Sequence, residues 1–206
     1  MPTPMTITHL FTDLGGVLLS NGWDRSLRKK TAEHFHVDPA EMDERHHLTY
    51  DTYESGKMGL SAYLDRIVFY EARAFTQHDV VDYILKAARP YPDMIDLVSR
   101  IKKRHGIKIG VVSNEGRELA TDRIARFKLY EFVDFFIVSS FVHFRKPDED
   151  IFRVAIDTAQ AAPESVVYLE DRRMFHEVAQ GLGLRSIWHR DYESTKRTLA
   201  EWGLGV

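Results

Sequence analysis

The chain has 206 residues, of which 44% are hydrophobic and 29% are charged. This composition is typical of a folded protein with a substantial core and excludes a largely disordered chain. The 28 basic and 31 acidic residues give a formal charge of -3 without any block of Lys or Arg, so nucleic acid is not an expected partner. The absence of cysteine excludes disulfides, thiolate metal sites and cysteine nucleophiles.

The first residues, Met1 to Pro4, carry no basic group, and the apolar run that follows is interrupted by Asp13. We therefore expect neither a signal peptide nor a membrane span, and no membrane partner. A cytoplasmic location is the expectation that remains, and the oligomeric state is left open.

The first strand-like run is Ile7 to Asp13, which is rich in β-branched and aromatic residues and leads into the turn signal Gly15-Gly16. Four further apolar runs of the same kind follow along the chain. They are Ile107 to Ser113, Phe135 to Ser139, Val166 to Glu170 and Leu184 to Trp188. These runs indicate buried parallel strands.

A long segment separates the first strand-like run from the second, and it is far longer than a crossover helix needs. It has no clear strand and several helical stretches, at residues 28–36, 39–50, 60–71 and 79–88. We interpret residues 20–89 as a small helical-bundle cap. The cap would be inserted into an α/β core formed by residues 1–19 and 90–206.

Helical patterns alternate with the strand-like runs throughout the C-terminal half. The clearest is Asp148 to Gln160, where apolar residues recur on one face at helical spacing. Similar patterns cover residues 93–104, 118–127, 175–182 and 194–202. This alternation predicts an α/β fold with a doubly wound, Rossmann-like parallel sheet.

Polar groups stand at the ends of the predicted strands or in the loops that follow. In parallel sheets ligands bind outside the carboxyl ends of the strands, so we expect these groups to meet at one rim. They are Asp13, Ser113 with Asn114, Lys146 with Pro147, and Glu170 with Asp171.

Phosphoryl transfer through an aspartyl-phosphate requires groups of these types. Asp13 would attack phosphorus as the catalytic nucleophile. Ser113 and the backbone N–H of Asn114 would hold phosphate oxygens, and the catalytic Lys146 would neutralise charge on Asp13 and on the transferring group.

A divalent cation would offset the repulsion between an attacking carboxylate and an anionic substrate. Magnesium prefers oxygen ligands and keeps several waters. The candidate ligands are Asp13, the backbone carbonyl of Gly15, Glu170 and Asp171. The sequence leaves open which carboxylate of the adjacent pair binds directly, and Arg172 or Arg173 could neutralise the pair instead of a metal.

Together these motifs resemble those of the haloacid dehalogenase superfamily, in the same order and across most of the chain. They are Asp13-Leu14-Gly15-Gly16-Val17, Val112-Ser113-Asn114, Lys146-Pro147-Asp148 followed by Ile151-Phe152, and Leu169-Glu170-Asp171. Each motif alone is weak, whereas the ordered set is specific. The resemblance implies a phosphatase-type hydrolase with Mg2+ as cofactor and a helical cap that closes over small substrates.

One position departs from the family's phosphatase pattern. Phosphatases of this family usually carry a second Asp two residues after the nucleophile, as general acid and base, and here that position is Gly15. Its carbonyl can bind magnesium, but it has no side chain that moves a proton. A first motif of this type also occurs in a subgroup that resembles sugar-phosphate phosphatases. We expect a slower enzyme, because a general acid or base contributes about 10²- to 10⁴-fold.

The sequence thus predicts a magnesium-dependent phosphatase, a phosphoric monoester hydrolase, that acts on a small phosphorylated metabolite such as a sugar phosphate. One alternative is a 2-haloacid dehalogenase, which in the family uses the same aspartate without metal. Another is a non-catalytic phosphate-ligand-binding protein of the same fold. A phosphomutase ranks lower, because it depends on the acid/base side chain that Gly15 lacks.

Most of these residues also have a purely structural interpretation. Asp13 could serve a tight turn, Ser113 could cap a helix and Lys146 could be an exposed loop lysine. The positions at strand ends favour the functional interpretation. For the aromatic residues of the predicted cap, core packing is favoured over contact with substrate; these are Trp23, Tyr50 and Tyr53.

Overall fold

The protein is described by a computed structural model that covers residues 6–206. Residues 1–5, with which the predicted core begins, lie outside the described residues. The strands form one parallel sheet in the order β3-β2-β1-β4-β5. They are β1 His9–Thr12, β2 Lys108–Ser113, β3 Phe135–Val138, β4 Val166–Glu170 and β5 Arg185–Trp188. The predicted doubly wound sheet is thereby confirmed.

Helices connect these strands and fill the long segment after β1. In chain order they are α1 Arg25–His34, α2 Pro39–Glu54, α3 Leu60–Ile67, α4 Gln77–Ala87, α5 Pro92–His105, α6 Arg117–Arg126, α7 Ser139–Val142, α8 Glu149–Ala159, α9 Arg173–Gly181 and α10 Tyr192–Leu199. Short helical turns cover Leu129–Glu131, Pro163–Ser165 and Ala200–Leu204. Within the described part of the chain, no helix has both the length and the apolar character needed to cross a membrane.

Helix starts follow from side chains that accept the first free backbone N–H groups. Asp24 accepts from Leu27 at the start of α1, and Thr76 and Asp79 form a reciprocal capping box at the start of α4. Because Asp24 caps α1, this helix begins three residues earlier than the apolar pattern predicted.

The two faces of the sheet carry separate apolar clusters, since successive side chains of a strand point to opposite sides. On one face Leu10 packs in a cluster with Leu97 of α5. On the other face Phe11 packs in a cluster with Ile151 and Phe152 of α8. The sheet is therefore covered on both sides, as buried parallel strands require.

Helices α1 to α4 form an apolar cluster together with Leu119 of α6, in which Tyr63, Leu64 and Ile67 of α3 are fully buried. The chain enters this helical segment at residues 19–20 and leaves it at residues 89–90, and these two stretches pair with each other. The Ser20 N–H donates to the Arg89 carbonyl over 2.8 Å, and Leu19 forms an antiparallel bridge with Pro90.

The third predicted strand extended to Ser139, and this boundary is wrong. Ser139 is the first residue of α7, and its hydroxyl donates to the Glu54 carbonyl over 2.7 Å. The same oxygen accepts from the Glu115 N–H over 3.0 Å. A buried serine therefore connects α2 to the loop after β2 instead of extending β3.

Candidate active site

The site lies where the winding direction of the sheet reverses, between β1 and β4. The paired residues Thr12 and Leu169 are the last before the polar ends of these two strands. The N–H of Asp13 donates to the Leu169 carbonyl over 3.0 Å, which fixes the Asp13 backbone next to β4. A reversal point of this kind opens a crevice at the carboxyl ends of the strands.

Asp13 is buried at the bottom of this crevice and its carboxylate is closely held. Oδ1 accepts from the Leu14 N–H over 2.7 Å, and Oδ2 lies 2.9 Å from Nζ of Lys146. The Ser113 hydroxyl lies near this carboxylate. Burial raises the pKa of Asp13, and the neighbouring ammonium group and the Ser113 hydroxyl oppose that rise.

Lys146 is fully buried and links two acidic residues. Its Nζ lies 2.7 Å from Oε2 of Glu170, 2.9 Å from Asp13 and 3.1 Å from the hydroxyl of Tyr168. Burial alone would lower the pKa of Lys146, but the two carboxylates outweigh burial and raise it. The side chain therefore stays an ammonium ion, and the interpretation of Lys146 as an exposed loop lysine is wrong.

Asn114 holds the loop that carries this lysine. Its side-chain amide donates to the Lys146 carbonyl and accepts from the Lys146 N–H, each over 2.8 Å. The peptide bond between Lys146 and Pro147 is cis. The sequence predicted a phosphate contact for the backbone of Asn114, and the structure adds a role for its side chain in fixing Lys146.

Glu170 and Asp171 differ in how many hydrogen bonds their carboxylate oxygens accept. Oε2 of Glu170 accepts from Lys146 and, over 2.5 Å, from Tyr168, while Oε1 accepts from the Arg172 N–H over 2.9 Å. In contrast, Oδ1 of Asp171 is buried without a hydrogen-bond partner in the described chain. Burial, followed by the charge of Asp13, raises the pKa of Asp171.

The carboxylates of Asp13, Glu170 and Asp171 offer oxygens that all lie within 4.8 Å of one another. Hard oxygen donors in a compact cluster fit magnesium, and the unpartnered Oδ1 of Asp171 is the atom that most needs a cation. The geometry favours Asp171 over Glu170 as a direct ligand, because both oxygens of Glu170 already accept hydrogen bonds. Gly15 lines the same cavity.

Gly16 is the residue that lets Asp171 approach the first motif. It adopts φ +77°, and a Cβ at this position would lie 2.3 Å from Oδ2 of Asp171. A glycine is therefore needed at position 16 for two reasons. Its φ is positive, and there is no room for a side chain beside Asp171.

A cavity of about 600 Å³ lies above these groups. Its floor is formed by Asp13, Ser113, Asn114, Lys146 and Asp171, and its other walls include Trp23, Arg28, His46, Tyr50, Tyr53 and Glu54. Core packing was the favoured interpretation of the three aromatic residues, and it holds for Tyr53, which belongs to the apolar cluster of the helical segment, and for Trp23, which packs against that cluster. All three side chains also border the cavity.

Of the two arginines proposed as an alternative to a metal, Arg172 contacts the acidic pair from the surface and Arg173 does not. Arg173 pairs with Glu177 over 2.8 Å, and Arg172 lies 3.6 Å from Asp171 with an exposed side chain. The buried partner of Glu170 is Lys146.

Two further site residues were missed in the sequence. Tyr168 precedes Glu170 by two positions in β4, a spacing that places both on one face of the strand and could have indicated the contact. Arg123 of α6 is buried beside the cavity, donates to the Ser20 carbonyl over 2.5 Å and pairs with Glu115. Burial lowers the pKa of Arg123 to about 10. No local pattern indicates this long-range contact.

The family of this chain follows from a direct comparison. The family model for haloacid dehalogenase-like hydrolases matches residues 7–174, a range that contains every group of the candidate site. The chain belongs to the haloacid dehalogenase-like hydrolase family and is a hydrolase.

Two curated relatives show weaker similarity over part of their length. Bifunctional epoxide hydrolase 2 of Sus scrofa is 27% identical over 61% of this chain and 23% of its own. Glyceraldehyde 3-phosphate phosphatase of Pyrococcus furiosus is 24% identical over 50% of this chain and 42% of its own. The chain therefore matches less than half the length of either relative.

Solved structures share the fold over nearly the whole chain. A HAD family enzyme from Bacteroides thetaiotaomicron, in complex with magnesium and inorganic phosphate, has a TM-score of 0.75 at 19% identity, covering 92% of this chain and 98% of that one. L-2-haloacid dehalogenase from Xanthobacter autotrophicus, with chloropropionic acid covalently bound, has a TM-score of 0.62 at 14% identity, covering 98% and 85%. At these identities the similarity concerns the fold alone.

Proposed function

We propose that the protein is a magnesium-dependent phosphatase that acts through an aspartyl-phosphate on a small phosphorylated metabolite, a sugar phosphate being one candidate. The observation that carries the proposal is the buried Oδ1 of Asp171, which lacks a partner in the described chain and belongs to the same carboxylate cluster as Asp13. The proposal retains the cytoplasmic location expected from the sequence, without nucleic-acid or membrane partners.

In the first step, an oxygen of Asp13 forms a bond to phosphorus while the ester bond to the leaving alcohol breaks. The alkoxide takes a proton from solvent, because the position of the usual acid is Gly15. Lys146 lies 2.9 Å from Asp13 and orients its carboxylate. The Ser113 hydroxyl is near enough to Asp13 to bond to it and can turn towards a phosphate oxygen.

The proposed cation would be held by Asp13 and Asp171, with the Gly15 carbonyl as a further oxygen ligand. Glu170 would contribute the negative charge of a nearby carboxylate. When bound, magnesium would reduce the repulsion between the attacking carboxylate and the anionic phosphate.

We also propose that residues 20–89 act as a cap that selects the substrate, over a core of residues 1–19 and 90–206. Residues of this segment form much of the cavity wall, including His46, Tyr50 and Tyr53 of α2. Arg145, which directly precedes Lys146, pairs with Glu54 at the end of α2 over 2.7 Å. This ion pair joins the proposed cap to the proposed core beside the site.

The test is a screen of small phosphate esters with and without magnesium. Asp13→Asn should reduce phosphate release to background, whereas Asp157→Asn, at an exposed position of α8, should behave as the wild type. Turnover that is independent of metal, or that survives Asp13→Asn, would refute the proposal.

Two outcomes of related assays would indicate the alternatives. Chloride release from 2-haloacids without added metal would favour a dehalogenase. A wild-type protein that binds phosphate without turnover, but gains turnover on Gly15→Asp, would favour the non-catalytic alternative.

A further inference from the structure

The side chain of Asn21 lies against the glycine that stands two residues after Asp13. A Cβ placed on Gly15 would lie 3.2 Å from Oδ1 of Asn21. Asn21 also lines the cavity that contains Asp13. The space that a side chain of residue 15 would enter is thus bordered by a polar amide from the segment after β1.

The backbone before Asn21 is firmly held. Ser20 donates its N–H to the Arg89 carbonyl over 2.8 Å and accepts the Arg89 N–H at its hydroxyl over 3.0 Å. Its carbonyl accepts from the buried Arg123 over 2.5 Å. These bonds fix the backbone next to Asn21. The side-chain amide of Asn21 itself has no hydrogen-bond partner within residues 6–206.

The charged groups on the cavity floor already have other partners or tasks. Lys146 contacts both Asp13 and Glu170, and Glu170 accepts three hydrogen bonds. Asp171 is the proposed ligand of the cation. Within the described chain, Asn21 is thus a polar group beside residue 15 that remains available to hydrogen-bond a reacting water.

Asn21 also borders a second cavity, of about 640 Å³, on the other side of the first motif. This cavity is lined by Gly16 and Asp171 and by aromatic side chains such as Tyr91 and Trp188. Asn21 and Asp171 line both cavities, so Asn21 lies where the two cavities adjoin.

We propose that the Asn21 amide orients the water that hydrolyses the aspartyl-phosphate, in the place where other phosphatases carry an acid/base side chain. This inference rests on the proposed phosphatase function. An amide cannot take up the proton, so Asn21 contributes orientation through a hydrogen bond accepted at Oδ1.

In this step the water oxygen forms a bond to phosphorus, and the bond between phosphorus and Asp13 breaks. The electron pair of the broken bond returns to the Asp13 carboxylate. The water proton passes to an oxygen of the departing phosphate and then equilibrates with solvent, so no other reactant is needed.

The test compares Asn21→Ala with the wild type on a phosphate ester that the wild type hydrolyses, in the presence of magnesium. We expect kcat and KM to fall together by about tenfold or more while kcat/KM stays unchanged, because only hydrolysis of the aspartyl-phosphate loses its oriented water. Rapid-quench kinetics should then show a burst of alcohol matching the enzyme concentration, together with a phosphoryl group retained on Asp13.

Asn21→Asp keeps an oxygen at the same place and should restore kcat at least to the wild-type value. Gln180→Ala, which removes an exposed amide from α9, serves as the control and should change neither constant. An Asn21→Ala enzyme with wild-type kcat and no burst, or an Asn21→Asp enzyme as slow as Asn21→Ala, would overturn the inference. A wild type without any phosphatase activity would instead refute the proposed function.

Discussion

Lys146 gives the clearest view of how single residues build this site. It lies fully buried between Asp13 and Glu170. With Asp171, the cluster contains three carboxylates and one ammonium group, and the exposed Arg172 lies 3.6 Å from Asp171 at its edge. The carboxylates therefore outnumber the buried positive charge, and a bound cation would offset the excess.

Two buried tyrosines beside the site should differ in what their hydroxyls contribute to stability. The Tyr168 hydroxyl donates to Glu170 over 2.5 Å, whereas the Tyr53 hydroxyl has no partner in the described chain. Tyr168→Phe should lower the free energy of unfolding by about 1.5–3 kcal/mol, because a hydrogen bond to a charged group is lost. Tyr53→Phe should leave it unchanged or raise it.

Urea denaturation of the two variants beside the wild type measures both effects. The substitutions are chemically identical, so each serves as the control for the other. Equal losses at the two positions would mean that the Tyr53 hydroxyl does have a partner in solution.

Gly16 should be required for the cation site rather than for folding alone. In Gly16→Ala the added carbon would lie 2.3 Å from Asp171, which must move, so the magnesium concentration for half-maximal activity should rise about tenfold or more. Gly106→Ala is the matched control, since Gly106 also has a positive φ of +66° but nothing lies within 4 Å of the added carbon.

The control variant should cost about 1 kcal/mol of stability through its backbone conformation alone. Its magnesium dependence should remain that of the wild type. A Gly16→Ala enzyme with unchanged magnesium dependence would show that Asp171 does not bind the cation.

At the scale of secondary-structure elements, α2 contributes a whole face to the cavity. The positions of His46, Tyr50, Tyr53 and Glu54 recur at intervals of three and four residues, and all four line the wall. Because this face is polar and aromatic rather than aliphatic, the apolar pattern of α2 in the sequence is weak. The sequence predicted this helix only as far as residue 50, whereas α2 continues to Glu54 through two of the residues that line the cavity.

The same helix should make stability depend on pH through His46. Trp23 donates to the Tyr63 hydroxyl over 2.7 Å, and this hydroxyl lies 2.6 Å from Nδ1 of His46, to which it donates when Nδ1 is unprotonated. This arrangement needs a neutral imidazole. Burial, followed by the charge of Arg28, lowers the pKa of His46 to about 4, with Asp43 opposing the shift.

A lowered pKa means that the unfolded chain binds the proton more readily than the folded one. The stability from neutral His46 is thus complete above the ordinary value of 6.5 and is lost as the pH falls towards about 4. The free energy of unfolding should decline more steeply over this range in the wild type than in His46→Gln.

Chemical denaturation at several pH values checks this expectation. His47→Gln is the control, because His47 is exposed on the same helix and should leave the slope as in the wild type. Equal slopes for the wild type and His46→Gln would contradict the account of the Tyr63 hydrogen bond.

At the scale of the whole molecule, most of the fold could be predicted because burial leaves a local pattern. The apolar runs predicted all five strands, with β2 beginning one residue later than its run and β4 matching its run. Ser139 was placed in the wrong element because its bonds to Glu54 and Glu115 are long-range. Such contacts have no periodicity along the chain.

The residues of the candidate site also separate into those that a sequence pattern predicts and those that long-range contacts place. Asp13 directly follows β1 and Glu170 ends the neighbouring β4, so topology brings them together, whereas Lys146 lies in the loop after α7 and is held by Asn114. Asn21 lies in an irregular segment, and its position depends on how Ser20 is held by Arg89 and Arg123. Sequence reasoning therefore predicts the groups at strand ends and misses those that loops and helices bring to the site.

The most direct test of the central claim is to trap the phosphoryl group on Asp13. The enzyme would be acid-quenched during turnover of a phosphate ester with magnesium, and its peptides analysed by mass spectrometry. Because every turnover passes through phosphorylated Asp13, part of the enzyme should carry the phosphoryl group at steady state. The account predicts one phosphoryl group on the peptide that contains Asp13, absent from Asp13→Asn. Product formation with that peptide unmodified at every quench time, or with the phosphoryl group on another residue, would contradict it.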